Sequence, residues 1–439
     1  MMTFEEAREF VCQVSERGSI LGLENIRRLM EALGNIQNTI PVIHIAGTNG
    51  KGSVGAYLAS ILMEAGLHVG RFISPAVFDP LEVWQFDQQN ISCYEYAQVM
   101  SQVKAACGIL ASEQGVYPTV FEIETAAAFV YFAEKRPDYL LLETGMGGST
   151  DATNVIAKPI ASVITSISMD HMQFLGSTLA EIAGAKAGII KSGCPVFSAP
   201  QHAEAETVLK ARAKELGSPI TFINADALQL EAEKPGMLKF SYELPPPSRQ
   251  RLHLETSMAG HCQMKNAALA AETAAAVLSG RFPVKPGHAA DEQIFSCIQN
   301  GIQKASWRGR FEVIGKDPLF IIDGAHNEEA AQELLLTVQN CFTNTGITYI
   351  IGVLNDKEHE KMLALLLPYA RRVYTVTPEH PRALSGEILA EEAMKYHSDV
   401  TCCGTIKEAV VLARKHPEPV LAFGSLSYLN DFRKKYNER

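Results

Sequence analysis

The chain has 439 residues, 47% of them hydrophobic and 20% charged, which is long enough for two or three globular domains. Its formal net charge of −10 argues against a nucleic-acid partner, and no apolar run approaches the length of a membrane span. The first residues lack the basic and apolar regions of a signal peptide, and the nine cysteines include no pair with zinc-site spacing. We therefore expect a cytoplasmic protein with reduced cysteines, no zinc and no membrane or nucleic-acid partner.

Residues 1–40 predict two helices, and residues 42–46 predict a buried strand. The strand runs into a glycine-rich segment, GTNGKGS, and then into apolar residues at helical spacing from Val54 to Ala65. This layout is typical of a phosphate-binding loop, in which backbone N–H groups, a helix N-terminus and a lysine face the anion. The predicted loop residues are Gly47, Thr48, Asn49, Gly50, Lys51, Gly52 and Ser53.

The spacing of these glycines differs from the standard GxxxxGK[ST] pattern. A strand-to-helix turn without a ligand is therefore the alternative interpretation. The flanking strand and helix favour the phosphate site, where the Ser53 hydroxyl at the helix start could also hold Mg²⁺.

Polar side chains follow three further strands of the same predicted sheet. One strand ends at Ser74, and a second, at residues 139–143, ends in Glu143. His171 lies just beyond a third strand at residues 161–167. Because ligands gather at the carboxyl ends of parallel strands, we expect Glu143 to bind Mg²⁺, with the other two at the same edge. A solvated carboxylate and a structural histidine are the alternatives.

The segments between these strands are predicted to be mostly helical. The stretch from Ala76 to Asn90 lacks periodicity and predicts a loop, which we interpret as a substrate lid. The predicted helices span residues 92–113, 121–135 and 178–190. The last one carries Lys186, which by itself is typical of an ordinary helix lysine.

The pattern of apolar and polar residues changes in the second half of the chain. Residues 218–257 form short alternating runs typical of a small antiparallel insertion, and a helix is predicted at 260–278. The fold class is therefore α/β. A P-loop parallel-sheet ATPase domain at 1–300, with the antiparallel insertion, precedes a smaller Rossmann-like α/β domain at 301–439. No GxGxxG motif is present, so no dinucleotide is implied. The strands predicted in the second domain are 319–322, 349–353, 373–376, 400–402 and 420–423.

A series of short motifs follows the glycine-rich loop along nearly the whole chain. They are Ser74-Pro75, residues 118–122, Glu143 with GMGG, residues 151–154, Asp170-His171, residues 186–189, Gln263 with Asn266, Gly309-Arg310, residues 323–327 and residues 424–426. Each is weak alone, but together with GTNGKGS they occur in one order. In that order they resemble the folylpolyglutamate synthase and dihydrofolate synthase family of the Mur-ligase superfamily.

The resemblance implies a role for each matching residue. It implies that the loop at 47–53 holds the ATP phosphates and that Lys186 is modified to a carbamate, an anionic group near the metal. The implied catalytic residues are Lys51, Lys186 and His326. The implied Mg²⁺ ligands are Ser74, Glu143 and His171, and the nucleotide contacts are Asn266, Arg310 and Asp323. The implied glutamate contacts are His326 and Ser425, and the folate or pterin loop contains Ala76 and Glu82.

Five residues depart from the pattern of the family. They are Ala76, Val83, Ser149, Ala185 and Cys262, in place of histidine, arginine, arginine, an acid and histidine respectively. The residues implied for ATP and Mg²⁺ are intact, so the chemistry is unaffected. Several departures fall where the resemblance implies the pterin binds, so the choice of substrate stays open.

The resemblance implies an ATP-dependent ligase that adds L-glutamate to a folate through an acyl phosphate. A dihydrofolate synthase, which joins glutamate to dihydropteroate, or a bifunctional enzyme is the alternative within the class. A peptidoglycan ligase, a P-loop kinase or ATPase, and a non-catalytic nucleotide-binding protein are the alternatives outside it. We expect a monomer whose partners are ATP, glutamate and the folate substrate.

Overall fold

The structure is a computed structural model that describes residues 1–15, 18, 22–246, 248–280, 291–343, 345–355 and 359–438. It divides into two compact units, each made of two segments of the chain. The first unit comprises Met1–Ala225 and Asn266–Gly301, and the second comprises Asp226–Lys265 and Ile302–Arg439. Among the described helices, none is both long enough and apolar enough to cross a membrane.

The first unit is built on an eight-stranded sheet. Its strands are β1 Val42–Ala46, β2 Val69–Phe72, β3 Trp84–Phe86, β4 Gln89–Asn90, β5 Tyr139–Glu143, β6 Ala161–Ile164, β7 Val196–Ser198 and β8 Ile220–Phe222. Its first helices are α1 Phe4–Ser15, α2 Glu24–Ala32, α3 Lys51–Glu64, α4 Cys93–Gln114, α5 Val120–Lys135, α6 Met172–Leu175, α7 Leu179–Ala187 and α8 Ala203–Glu215. Helices α9 Cys262–Leu278 and α10 Asp291–Lys304 follow, with most of their residues in this unit.

The strand order is β4-β3-β2-β5-β1-β6-β7-β8. Strands β2, β5, β1, β6, β7 and β8 run parallel, whereas β3 and β4 extend the β2 edge in antiparallel pairing. All residues of β1 and β5 are buried, as expected for central strands of a helix-covered parallel sheet. The glycine-rich loop therefore leaves the sheet between the carboxyl ends of β5 and β6.

Helix α3 differs from the amphipathic helix that the sequence predicts. Every residue from Gly52 to Leu62 is buried, including the hydroxyl residues Ser53 and Ser60. A helix that is buried on all sides lies within the interior of its unit instead of covering the surface. The predicted stop is present, because Gly66 takes a φ of 79° directly after the helix.

The second unit contains two sheets. The smaller is antiparallel and consists of β9 Leu228–Lys234, β10 Met237–Glu243 and β11 Arg251–Thr256. The larger has the order β12-β13-β17-β14-β15-β16, and only β12 pairs in antiparallel fashion. Its strands are β12 Glu312–Lys316, β13 Leu319–Ile322, β14 Ile347–Ile351, β15 Ala370–Thr375, β16 Val400–Cys402 and β17 Val420–Phe423. Its helices are α11 Glu328–Cys341, α12 His359–Leu366, α13 Gly386–Ala393, α14 Ile406–Ala413 and α15 Leu429–Asn437.

The antiparallel insertion groups with the second unit, although the sequence placed it in a first domain at 1–300. Glu233 of β9 accepts a hydrogen bond from the side-chain amide of Asn340 at 2.7 Å. The backbone N–H of His261 donates to the hydroxyl of Thr337 at 2.8 Å. Both partners lie on α11, so the insertion is attached by contacts that are distant in sequence.

The predicted loop at 76–90 is wrong over its second half. A 3₁₀ turn spans Pro80–Val83, and β3 and β4 follow it. Both strands are short. Strand β3 pairs with β2 and β4 pairs with β3, so their formation depends on the edge of the sheet and not on a local repeat in the sequence.

The packing of α10 against α3 yields a stability prediction. An ideal Cβ added at Gly301 would lie 2.4 Å from the Cα of Ile61, so the two backbones touch. Gly301→Ala should lower the free energy of unfolding by roughly 1–3 kcal/mol through overpacking. Gly108→Ala is the matched control, since nothing lies within 4 Å there. It should raise the free energy by about 0.5–1 kcal/mol through helix propensity. Denaturant titration measures both changes, and a similar effect at both positions would contradict the close packing.

Candidate functional site

The glycine-rich loop takes a shape that only glycine permits at two positions. Gly47 has a φ of 152°, and an added Cβ would lie 1.8 Å from the hydroxyl oxygen of Thr165. Gly50 has a φ of 91°, and its Cβ would lie 2.5 Å from Oδ1 of Asn266. The loop is therefore pressed against the end of β6 on one side and against α9 on the other.

The segment after β6 holds the middle of the loop. The backbone N–H of Thr48 donates to the carbonyl of Ser166 at 2.7 Å. The hydroxyl of Thr48 donates to the carbonyl of Ser168 and accepts from the N–H of Ser168, both at 3.1 Å. Asn49 forms a bridge with Ser166. These bonds fix the loop without using the N–H groups at the start of α3, which a phosphate would require.

Two lysine amines converge on one carbonyl oxygen of the loop. Lys51 Nζ donates to the Gly47 carbonyl at 3.2 Å and to the Thr48 carbonyl at 3.3 Å. Lys186, which lies on α7, donates through its Nζ atom to the Gly47 carbonyl at 2.8 Å. Lys186 is only 3% exposed, and burial, followed by repulsion from Lys51, lowers its pKa to about 7. Lys186 is therefore not an ordinary solvent-exposed helix lysine.

Sheet register places Ser74 and Glu143 at neighbouring strand ends. Phe72 of β2 pairs with Leu142 of β5, and Glu143 pairs with Ile45 of β1. Glu143 is 8% exposed, so it is not the solvated carboxylate that was the alternative. The structure thus brings Ser74, Glu143 and the loop to one edge of the sheet.

His171 is placed differently. It is a non-glycine residue with a φ of 50°, at the N-terminus of α6, and its side chain is 46% exposed. Its Nε2 atom lies 3.9 Å from Asp170 Oδ2. Attraction between Asp170 and the Lys186 ammonium partly opposes the lowering of the Lys186 pKa. Over the described residues, no group of three or more His, Cys, Asp or Glu side chains is arranged to hold a metal ion.

The glutamate of the predicted lid shapes its own segment. Glu82 is 8% exposed, and its Oε1 atom accepts hydrogen bonds from the backbone N–H groups of Val77 and Phe78. The segment closes where the N–H of Ile73 donates to the carbonyl of Val83 at 2.9 Å. Ala76 lies exposed on this turn.

A buried polar chain braces the loop after β5, and sequence reasoning assigned it no role. Asp151 accepts from the N–H groups of Met146 and Thr153, and the Thr153 hydroxyl lies 2.9 Å from Nε2 of His44 in β1. Burial raises the pKa of Asp151, and it lowers the pKa of His44 to about 3. The available signal was the Asp-x-Thr spacing, which is typical of a side chain capping its own turn.

Asn154 links the same loop to the helix that carries Lys186. Its Nδ2 donates to the carbonyls of Ser149 at 3.3 Å and Gly188 at 3.1 Å. The N–H of Ser149 donates to the carbonyl of Ala185 at 2.8 Å. Two of the departures from the family pattern, Ser149 and Ala185, therefore lie against each other.

The polar residues predicted in the second unit also come together. The Asp323 carboxylate accepts from the N–H groups of Phe311 and Ala325, each at 2.8 Å, and burial raises its pKa while Arg310 opposes that rise. A Cβ at Gly324 would lie 2.5 Å from Nη1 of Arg310. His326 Nδ1 donates to the carbonyl of Gly324 at 2.8 Å.

Ser425 lies next to this group at the end of the adjacent strand β17. The N–H of Gly424 donates to the carbonyl of Ala325 at 3.0 Å, and the Ser425 hydroxyl accepts from the N–H of Ser427 at 3.2 Å. Asp323 and His326 follow β13 and Ser425 follows β17, while Arg310 precedes β12, which pairs with β13 in antiparallel fashion. The remaining residue predicted to contact the nucleotide, Asn266, lies against the loop of the first unit.

Domain families of Mur ligases match both parts of the chain. The Mur ligase middle domain matches residues 45–274, and the Mur ligase glutamate ligase domain matches residues 309–426. Fold and loop thus define the class, an ATP-dependent ligase of the Mur type.

Relatives narrow this class. The dihydrofolate synthase/folylpolyglutamate synthase of Bacillus subtilis is 34% identical over 437 residues, covering 98% of this chain and 99% of the relative. The folylpolyglutamate synthase of Lacticaseibacillus casei is 34% identical over 363 residues, or 82% of each chain. The Mycobacterium tuberculosis folylpolyglutamate synthase complexed with ADP and AMPPCP matches with a TM-score of 0.87 and 26% identity, covering 99% of this chain and 98% of that one. The chain belongs to the folylpolyglutamate synthase/dihydrofolate synthase family, and the kinase and ATPase alternatives are set aside.

Proposed function

We propose that the chain joins the amine of L-glutamate to a carboxylate of a folate, with ATP as the source of energy. The observation that carries the proposal is the shaped loop at 47–53 with the amines of Lys51 and Lys186 on the Gly47 carbonyl. The Mycobacterium tuberculosis relative binds ADP and AMPPCP, which supports a nucleotide at this loop. The name of the Bacillus subtilis relative supports activity on both dihydropteroate and folates.

The reaction has two steps. A carboxylate oxygen of the acceptor attacks the γ-phosphorus of ATP, the bond to the bridging oxygen breaks, and ADP leaves. The amine of glutamate then attacks the acyl carbon, the bond to the phosphate oxygen breaks, and the amine gives up a proton. Lys51 and the N–H groups at the start of α3 offset the charge on the transferring phosphoryl group.

Ser74, Glu143 and His171 would hold Mg²⁺, which supplies positive charge against the phosphate oxygens when bound. Hydroxyl and carboxylate oxygens are ligands that Mg²⁺ prefers, and Glu143 is buried at a strand end next to the loop. His171 is the most exposed member of this set.

Lys186 is proposed to work as a carbamate. Because burial lowers its pKa to about 7, the amine can lose its proton near neutral pH, and a neutral amine can react with CO₂. The nitrogen forms a bond to the carbon of CO₂ and releases a proton to solvent. The product is an anion, so the repulsion between Lys186 and Lys51 becomes attraction.

The second unit is proposed to contact glutamate and nucleotide. Because Nδ1 of His326 donates to Gly324, Nε2 is the nitrogen that can accept a proton in the neutral ring. We assign His326 and Ser425 to glutamate, and Arg310, Asp323 and Asn266 to the nucleotide. Glu82 is assigned to shaping the folate segment at Ala76, since its oxygen already accepts two backbone N–H groups.

Incorporation of radiolabelled glutamate tests the function. Purified protein is incubated with ATP, Mg²⁺ and labelled glutamate, with dihydropteroate and tetrahydrofolate in separate reactions. Label should enter at least one folate product with one ADP formed per glutamate added. Lys51→Ala is the matched control and should lose turnover at least 100-fold, because its charge acts in the transition state. ATP hydrolysis without incorporation, or normal turnover by Lys51→Ala at saturating ATP, would overturn the proposal.

Glu143→Gln tests the metal assignment. The amide keeps the shape of the side chain but removes the charge that binds Mg²⁺. The Mg²⁺ concentration for half-maximal rate should rise at least tenfold and the maximal rate should fall, while ADP binding without Mg²⁺ is largely retained through the loop. Rate measurements across a Mg²⁺ titration, with calorimetry of ADP in EDTA, give both values. An unchanged titration would remove Glu143 from the site.

Lys186→Ala tests the carbamate. Activity should fall at least 100-fold, and acetate or formate should restore part of it by supplying an anion in the vacated space. Methylammonium at equal ionic strength is the matched control and should restore nothing. Rescue by the amine and none by the carboxylates would show that Lys186 acts as a cation.

A further inference from the structure

An arginine lies buried beneath the candidate site, where the sequence shows only an isolated charge in an apolar strand. Arg71 of β2 is 4% exposed. Its Nη2 atom donates to the carbonyl of Gly52 at 3.2 Å, and its Nη1 atom donates to Oε1 of Gln85 at 3.1 Å. Gly52 belongs to the GTNGKGS segment and lies in the first turn of α3, and Gln85 lies on the neighbouring strand β3.

Two carboxylates of the candidate site act on the same guanidinium. Burial lowers the pKa of Arg71 to about 10, while Glu143 and Glu82 raise it by attraction. Arg71 therefore stays charged at neutral pH. A buried charge carries a desolvation cost that an apolar residue of similar size would avoid, and hydrogen bonds and nearby opposite charges offset that cost. A residue that only filled space here would be apolar.

The partners of Arg71 come from four segments, three of which the proposed function uses. They are the start of α3 at Gly52, strand β3 at Gln85, the strand end at Glu143 and the lid turn at Glu82. We propose that Arg71 is a positioning residue that fixes the phosphate loop, the metal-binding carboxylate and the lid segment relative to one another. This inference rests on the proposed function, in which the loop binds ATP and Glu143 binds Mg²⁺.

The planar guanidinium suits this task better than a lysine does. It presents five N–H donors in a fixed plane, so one group can serve several acceptors in different directions. The helix above it leaves room, because a Cβ at Gly55 would lie 3.6 Å from Nη2, in ordinary contact. Arg71 donates to a loop carbonyl, whereas a phosphate is faced by loop N–H groups, so Arg71 acts through its partners.

Arg71→Lys keeps the charge but loses the planar guanidinium with its five donors. Arg71→Met removes the charge but keeps a side chain of similar length. Affinity for ADP with Mg²⁺ is measured by calorimetry, alongside kcat, the KM for glutamate and the melting temperature of each full-length variant. Both variants should bind ADP with Mg²⁺ at least fivefold more weakly and lose kcat at least tenfold. The KM for glutamate should stay within twofold, because Gly52, Gln85, Glu143 and Glu82 all differ from the residues assigned to glutamate.

Arg251→Lys is the matched control. Arg251 is a strand arginine paired with Glu243 at 3.1 Å in the antiparallel sheet, outside the assigned site, and this variant should match the unsubstituted protein. Nucleotide affinity and kcat within twofold of that protein for Arg71→Lys would overturn the inference, as would a lowered melting temperature with unchanged kinetics. If Arg71→Met does not fold, Arg71→Lys decides. If Glu143→Gln alters the Mg²⁺ titration while Arg71→Lys leaves nucleotide affinity and kcat unchanged, only the inference about Arg71 fails. If Glu143→Gln does not alter the titration, the metal assignment fails.

Discussion

The carbonyl oxygen of Gly47 is the point on which the candidate site depends. It accepts hydrogen bonds from Lys51 and from Lys186, which come from different helices. No side chain fits at residue 47, because a Cβ would meet Thr165. The loop, helix α7 and the end of β6 are therefore held within a few ångströms of each other. Burial, together with repulsion between the two ammonium groups, lowers the pKa of Lys186.

Elements with a strong local signal could be predicted from the sequence. Strands β5, β13, β16 and β17 have the bounds that their apolar runs predict, because each run is bounded by turn residues. Strands β3 and β4 could not be predicted, since β3 forms by pairing with β2 and β4 by pairing with β3. The amphipathic pattern of α3 was also misleading, because its polar residues are buried beside the loop and the sheet.

Some residues of the candidate site could be predicted from the sequence and others could not. The glycines of the loop were predictable, since a sharp turn before a helix requires residues without a side chain. Arg71 was not, because its partners lie between 11 and 72 residues away in sequence, and the fold of the sheet brings them together. Lys186 was named through the family resemblance, while its burial and its shared carbonyl come from the packing of α7.

The attachment of the antiparallel insertion to the second unit has a consequence for how the chain can be divided. Leu238, Phe240 and Tyr242 of β10 are fully buried, and Glu233 and His261 bond to α11. A fragment that ends at residue 300 would carry these apolar strands without the helix that they pack on. A fragment that starts at residue 302 would leave Asn340 and Thr337 without their partners. A single cut in the chain therefore yields no complete unit. To express the second unit alone, residues 226–265 must be joined to residues 302–439 by a designed linker.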